Sequence, residues 1–304
     1  MRALILAIAC VLPGLTLAHS IAGAEPSGGL EGEGFLIGLL VFSGAWYAFA
    51  FARLYTSARK GRSVYLRRGL MFAAGWSVIV ASLLTPLHEL GGRSFTAHMI
   101  EHELLMLVSA PLIAWSRPLG VLLWAFAPTR RRRLAAFSRK GWFSAAWSLV
   151  SAPGCASLLQ AAMLWLWHAP PLFDRALRSE AWHAAQHLSL FFSALLFWWS
   201  LSRASAVKRQ HGVAALWLFF TSMHSGLLGA LMSFSESPWY QPYAQLALAG
   251  VANLTPMQDQ QLAGLIMWIP GGALHAVVAL IYLNRWFTAP AATSIMGPAG
   301  RCSS

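Results

Sequence analysis

FLIGLLVFSGAWYAFAFARLYTSARKGRSVYLRRGLMFAAGWSVIVASLL, from Phe35 to Leu84, holds two long apolar runs on either side of a basic segment. A helix rises 1.5 Å per residue, so about 20 apolar residues cross a hydrocarbon layer of about 30 Å. Phe35–Leu54 and Leu70–Leu87 meet that requirement and read as the first two membrane spans. Between them crowd Arg59, Lys60, Arg62, Arg67 and Arg68. Lys and Arg accumulate in cytoplasmic loops, so this segment reads as cytoplasmic and the chain before Phe35 as outside.

Working outward, five more spans are expected: Ala97–Trp115, Ala145–Trp167, Trp182–Leu201, Val213–Phe234 and Leu262–Trp286. The run Pro118–Phe126 is too short to cross and reads as an interfacial piece, or as an extension of the third span beyond a kink at Pro118. The third loop carries Arg117, Arg130 to Arg133, Arg139 and Lys140, and the fifth carries Arg203, Lys208 and Arg209. The alternate loops are poor in basic residues. The second has Arg93, the fourth has Arg175 and Arg178 against Asp174 and Glu180, and the sixth, 235–261, has none. Every loop agrees with one arrangement: an all-α bundle of seven transmembrane helices, N-terminus outside and C-terminus cytoplasmic.

The composition supports a bilayer setting. Residues are 57% hydrophobic and 11% charged, where a soluble domain carries about 25% charged. The net charge of +12 does not point to nucleic acid, because the basic residues are confined to alternate loops. The Arg130–Arg133 run reads as a topology determinant, with a lipid or partner contact as the sharper alternative. Cys10, Cys155 and Cys302 lie far apart, which leaves no thiolate metal site.

The first residues follow a secretory pattern: Arg2, an apolar Ala3–Leu17, then Ala22-Gly23-Ala24. Residues 1–24 read as a signal peptide, with an uncleaved helix as the alternative. Residues 25–288 are the membrane domain, and 289–304, rich in Pro, Gly, Ala and Ser, read as a disordered cytoplasmic tail.

Six of the ten histidines fall at outer helix ends: His88, His98, His102, His168, His183 and His187. His98/His102 and His183/His187 are four apart, which puts each pair on one helical face where it can share an ion. Glu101 shares the face of the first pair, Glu103 points away, and Gln186 flanks the second. His224 and His275 lie deeper, roughly 15–20 Å below the outer boundary at 1.5 Å per residue. Intramembrane polar residues need partners, and here either a metal ion or a hydrogen-bonded network supplies them. Imidazole suits copper, zinc and iron, and thioethers tilt the choice toward copper. Met99, Met106, Met223 and Met267 lie near the histidines in sequence.

Four stretches carry a family resemblance: SFTAHMIEHELLMLVSAPLIA, LWLWHAPPLFDRALRSEAWHAAQHLSLFFSALLFWW, MHSGLLGALMSFSESPWYQPY and DQQLAGLIMWIPGG. In order and content they resemble the CtaG family of seven-helix cytochrome c oxidase assembly factors, from the second helix to the seventh. The resemblance implies a non-enzymatic factor of the bacterial inner membrane. It implies oxidase subunits and a periplasmic copper donor as partners, and copper bound near the outer face. It implies as metal ligands His98, His102, His168, His183, His187, His224 and Met267. Asp259, Gln260, Gln261 and Trp268 also match the family pattern, and Glu101, His88, Gln186, Met106, Met223 and His275 complete the supporting set.

Rival readings stay open at this level. His98-x-x-Glu101-His102 fits the H-x-x-E-H pattern of metallopeptidases. His224 and His275 suit axial haem ligation. A scaffold that gathers oxidase subunits without metal needs no ligands at all.

Overall fold

The computed structural model describes residues 28–138, 140–204, 210–248 and 254–288, and among them every regular element is helical. The expected signal peptide and C-terminal tail lie outside these residues. Helices α1 (Gly28–Ser57) and α2 (Arg62–Leu83) open the bundle. Only 17% and 11% of their apolar windows are buried, so most of their surface suits lipid. Tyr47 stacks on Phe72 at 3.5 Å to hold the pair together.

The second helix departs from the expected Leu70–Leu87. It begins eight residues earlier, at Arg62, and stops at Leu83. Pro86 then starts a separate short helix, α3 (Pro86–Gly91), with Thr85 accepting from Leu87 N as its cap. Proline suits a first turn and disfavours the interior of a helix. His88 therefore sits on α3, not at the end of α2.

The third span, Phe95–Ser116, is the most buried, with 61% of its window inside the bundle. It consists of α4 (Phe95–Glu103), a π-helical turn (Leu104–Ser109) and α5 (Ala110–Ser116). At the π turn Trp198 donates its indole N–H to the Met106 carbonyl at 2.9 Å. Ser109 Oγ reaches back to the Gly75 carbonyl of α2 at 2.9 Å. Pro118–Phe126 forms a short helix, α6 (Pro118–Leu122), and a 3-10 turn, Leu123–Ala125. The Arg130–Arg133 run rides on α7 (Pro128–Ser138).

The expected fourth span, Ala145–Trp167, is broken. Its pieces α8 (Gly141–Val150) and α9 (Pro153–His168) are bent by 58°. Pro153 pushes the preceding Ala152 into extended backbone, φ −65° and ψ 139°, as a residue before proline prefers. A surface helix, α10 (Pro170–Arg178), leads to α11 (Glu180–Ala204) and α12 (His211–Ser233). The sixth loop contains α13 (Gln241–Leu248), and the chain ends in α14 (Pro256–Phe287), capped by a reciprocal Thr255–Gln258 box. Among the described residues six helices are long and apolar enough to cross a membrane, and the bent pair makes a seventh if it is one span.

Helices α12 and α14 pack without side chains between them at one point. A Cβ on Gly264 would lie 2.6 Å from the Gly229 carbonyl oxygen. Small residues of this kind let membrane helices approach backbone to backbone.

Candidate metal centre

Helices α4 and α11 bring the two histidine pairs face to face. His98 and His102 are buried in α4, and His187 is buried beside Gln186 in α11. One nitrogen each of His98, His183 and His187 lie within 4.8 Å of one another. His102 Nε2 stands 3.2 Å from His187 Nε2. Two nitrogens on one tetrahedral ion, each bonded at 2.0–2.1 Å, are about 3.3 Å apart. The separation suits an N–H···N hydrogen bond, and equally two ligands on a single ion.

Glu101 organises the next layer. Its Oε1 lies 2.9 Å from His88 Nδ1 and 3.5 Å from His187 Nδ1. Metal-bound histidines commonly turn their second nitrogen toward such a carboxylate, which fixes the tautomer. His88 is the outermost member, with 37% of its side chain exposed, and its ring stacks on His183 at 5.4 Å. The H-x-x-E-H string thus places its Glu against two imidazoles.

Several polar atoms here are buried without a hydrogen-bond partner: both nitrogens of His98, His102 Nδ1, His183 Nε2, Glu101 Oε2 and both amide atoms of Gln186. Buried polar groups are nearly always paired. So many orphans in one place are what a site for a cation and its water would leave.

The remaining sequence-predicted residues divide. His168 ends α9 and donates Nδ1–H to the Leu164 carbonyl at 2.7 Å, which leaves Nε2 buried and unpaired. It and His98 both lie against the Phe173 ring, at 6.2 and 5.1 Å. His224 packs on Phe220. His275 stacks on Trp198 at 5.6 Å and bonds the Gly271 carbonyl. Among the described residues no hydrogen bond or ring contact ties His224 or His275 to the outer cluster. Met106 and Met267 belong to the apolar core, and Met223 is 55% exposed on the outside of α12. The expected contribution of Met223 is therefore corrected: its side chain faces away from the bundle. Trp268 serves packing, as the residue that a Cβ on Gly226 or Gly229 would meet.

Asp259 has a positional role. Its carboxylate accepts from Ser94 Oγ at 2.9 Å, Phe95 N at 2.7 Å and Thr96 N at 3.0 Å. It thus caps α4 from another helix and fixes where His98 and His102 stand. Gln260 staples the sixth loop by accepting from Trp239 N at 2.7 Å. Gln261 contributes its carbonyl, which accepts from Ser233 Oγ. Glu103 turns away from the histidines, as its helical position predicts. It reaches α14, where its Oε2 would stand 3.1 Å from a Cβ on Gly271.

Sequence reasoning missed an aromatic cover over the cluster. Phe173 stacks on Tyr240 at 4.1 Å, and Phe95 meets Tyr240 at 4.8 Å and Tyr243 at 5.6 Å. Tyr240 donates to the His168 carbonyl at 3.0 Å, and Tyr243 to the Gly91 carbonyl at 2.6 Å. Both hydroxyls have raised pKa values. Burial is the main cause, aided by Asp174 beside Tyr240 and by Asp259 beside Tyr243. They therefore stay protonated and keep donating well into alkaline solution. The signal was there in the aromatic-rich Pro238-Trp239-Tyr240 and Pro242-Tyr243 steps of a loop free of basic residues.

The family model for cytochrome c oxidase caa3 assembly factors (CtaG) matches residues 45–289. The chain belongs to this family. The match runs from within α1 to the end of α14, so it takes in every later helix and every histidine of the cluster. No curated protein and no solved structure matches the chain.

Proposed function

We propose that this caa3 assembly factor binds copper on its way to the oxidase, as cargo held by an all-imidazole site. His98, His183 and His187 supply the first three nitrogens and His102 the fourth. Glu101 sets the orientation of His187, and Asp259 the position of α4. The supporting observation is the meeting of His98, His183 and His187, which the sequence separates by up to 89 positions (187 − 98), within one ion's reach. The donor set itself is nitrogen only, which zinc also accepts. The preference for copper rests on the family's role in building a copper oxidase.

The reading extends to topology. With α8 and α9 as one broken span, the chain crosses the bacterial inner membrane seven times, N-terminus outside and C-terminus cytoplasmic. The cluster then opens toward the periplasm, where a copper donor meets it, and the chemistry is transfer without turnover. Copper analysis of the full chain purified in mild detergent tests the proposal. About one copper per chain is expected for the native protein, with loss of copper and of cellular oxidase activity in the His98→Ala/His102→Ala variant. Full oxidase assembly by a metal-free native protein would establish the scaffold reading instead.

A further inference from the structure

At the basic end of the bundle the 58° bend between α8 and α9 splays them from α11 and α5. The gap is a cavity of about 350 Å³ lined by Pro118, Trp147, Val150, Phe192, Ser193 and Trp199 among others. Pockets for small ligands run from about 300 to 1,000 Å³. A helix, 10–12 Å across with its side chains, does not fit.

The walls are apolar, and the indole N–H groups of Trp147 and Trp199 are buried within them, out of reach of an occupant. The space therefore suits hydrocarbon, and any polar group of an occupant has to lie at the mouth, where water or charge can meet it. Arg203 stands one turn beyond Trp199 on α11 and reaches Ser151, next to the lining Val150, through Nη1 at 3.4 Å. Arg117 immediately precedes Pro118 and is held at φ 53° between α5 and α6. Among the described residues neither guanidinium has a carboxylate within salt-bridge distance.

We propose that this cavity is a binding site for one anionic phospholipid. An acyl chain fills the apolar space, and the phosphate lies against Arg203 and Arg117. Arginine is suited to phosphate because its planar N–H groups pair with two oxygens at once. The site is separate from the histidine cluster, and its occupancy is independent of metal.

The test is native mass spectrometry of the full chain in mild detergent, supplied with equal phosphatidylglycerol and phosphatidylcholine. One retained phosphatidylglycerol, favoured roughly ten-fold, is expected, the order of one charge-assisted hydrogen bond. Arg203→Gln should bring the preference to within about two-fold while the variant still elutes as the native protein does. Leu159→Trp, which fills the cavity from its wall, should abolish retention. Equal retention of the two lipids by the native chain overturns the proposal, and so does undiminished retention by Leu159→Trp or displacement of the lipid by a neutral quinone. The lipid competition needs no variant and decides the matter even where a substitution fails to fold.

Discussion

Glu101 carries more of the site than its neighbours in sequence suggest. Its buried carboxylate hydrogen-bonds His88 and lies 3.5 Å from His187 Nδ1, so it tethers the outermost imidazole and stands beside a proposed ligand. Replacing it by Gln keeps the shape and an oxygen acceptor but removes the charge. Loss of such an outer partner typically weakens metal binding 10- to 100-fold. Chelator competition on Glu101→Gln should show that drop with copper still bound at saturation, and unchanged affinity would remove the carboxylate from the account. His183→Ala should do more, because it deletes a ligand, and dialysed protein should retain little copper. The four histidines at i and i+4 were legible because helical spacing fixes which residues share a face. What faces them was not legible. Nothing local to Met223 shows that its turn of α12 points outward, and nothing near Phe173 or Tyr240 shows that they meet over His98. Those are facts of packing between helices.

The same lesson holds for the helices, where hydropathy finds spans but does not see their breaks. Leu70–Leu87 and Ala145–Trp167 carry no charge, yet Pro86 and Pro153 divide them because proline resists the helix interior. Those breaks matter: the first puts His88 on α3 within reach of Glu101, and the second opens the cavity beside α11. Asp259 shows how one helix positions another. Three donors at the start of α4 converge on its carboxylate, near the positive end of that helix's dipole. Asp259→Ala leaves these donors without their charged acceptor, a loss of about 1.5–3 kcal/mol for a hydrogen bond to a charged group. Thermal unfolding in detergent should show the destabilisation, and copper affinity should fall with it because α4 loses its anchor. A variant that unfolds earlier but binds copper as tightly as the native chain would separate the anchor from the site. At the glycine contact, Gly264→Val should be worse for folding than Gly34→Val. The first meets the Gly229 backbone, while nothing stands within 4 Å of the second.

For the whole molecule, orientation decides which compartment loads the site. Ser63→Cys in the basic first turn of α2 and Ser237→Cys in the sixth loop, in a chain without Cys10, Cys155 and Cys302, should label from opposite sides. An impermeant maleimide applied to intact spheroplasts should reach Ser237→Cys alone, and reaction at Ser63→Cys before lysis would invert the topology. In the proposed topology the cluster meets a compartment whose pH follows the surroundings, and its chemistry makes that consequential. Copper binds neutral imidazole, so protons compete with it for the same lone pairs. Well above an unperturbed imidazole's pKa of about 6.5 the rings are already neutral, and affinity is flat with pH. Below the pKa of the ligating rings each one must lose a proton to bind, so affinity falls by up to about ten-fold per pH unit per ligand. The slope therefore counts ligands. Three or four converging histidines predict a drop of at least 100-fold over one pH unit once the pH lies below the pKa of all the ligating rings, read by chelator competition carried down in pH until the slope is constant. A single coordinating histidine would give ten-fold or less, and that shallow slope would show that the shared helix faces assemble a polar network without a common ion.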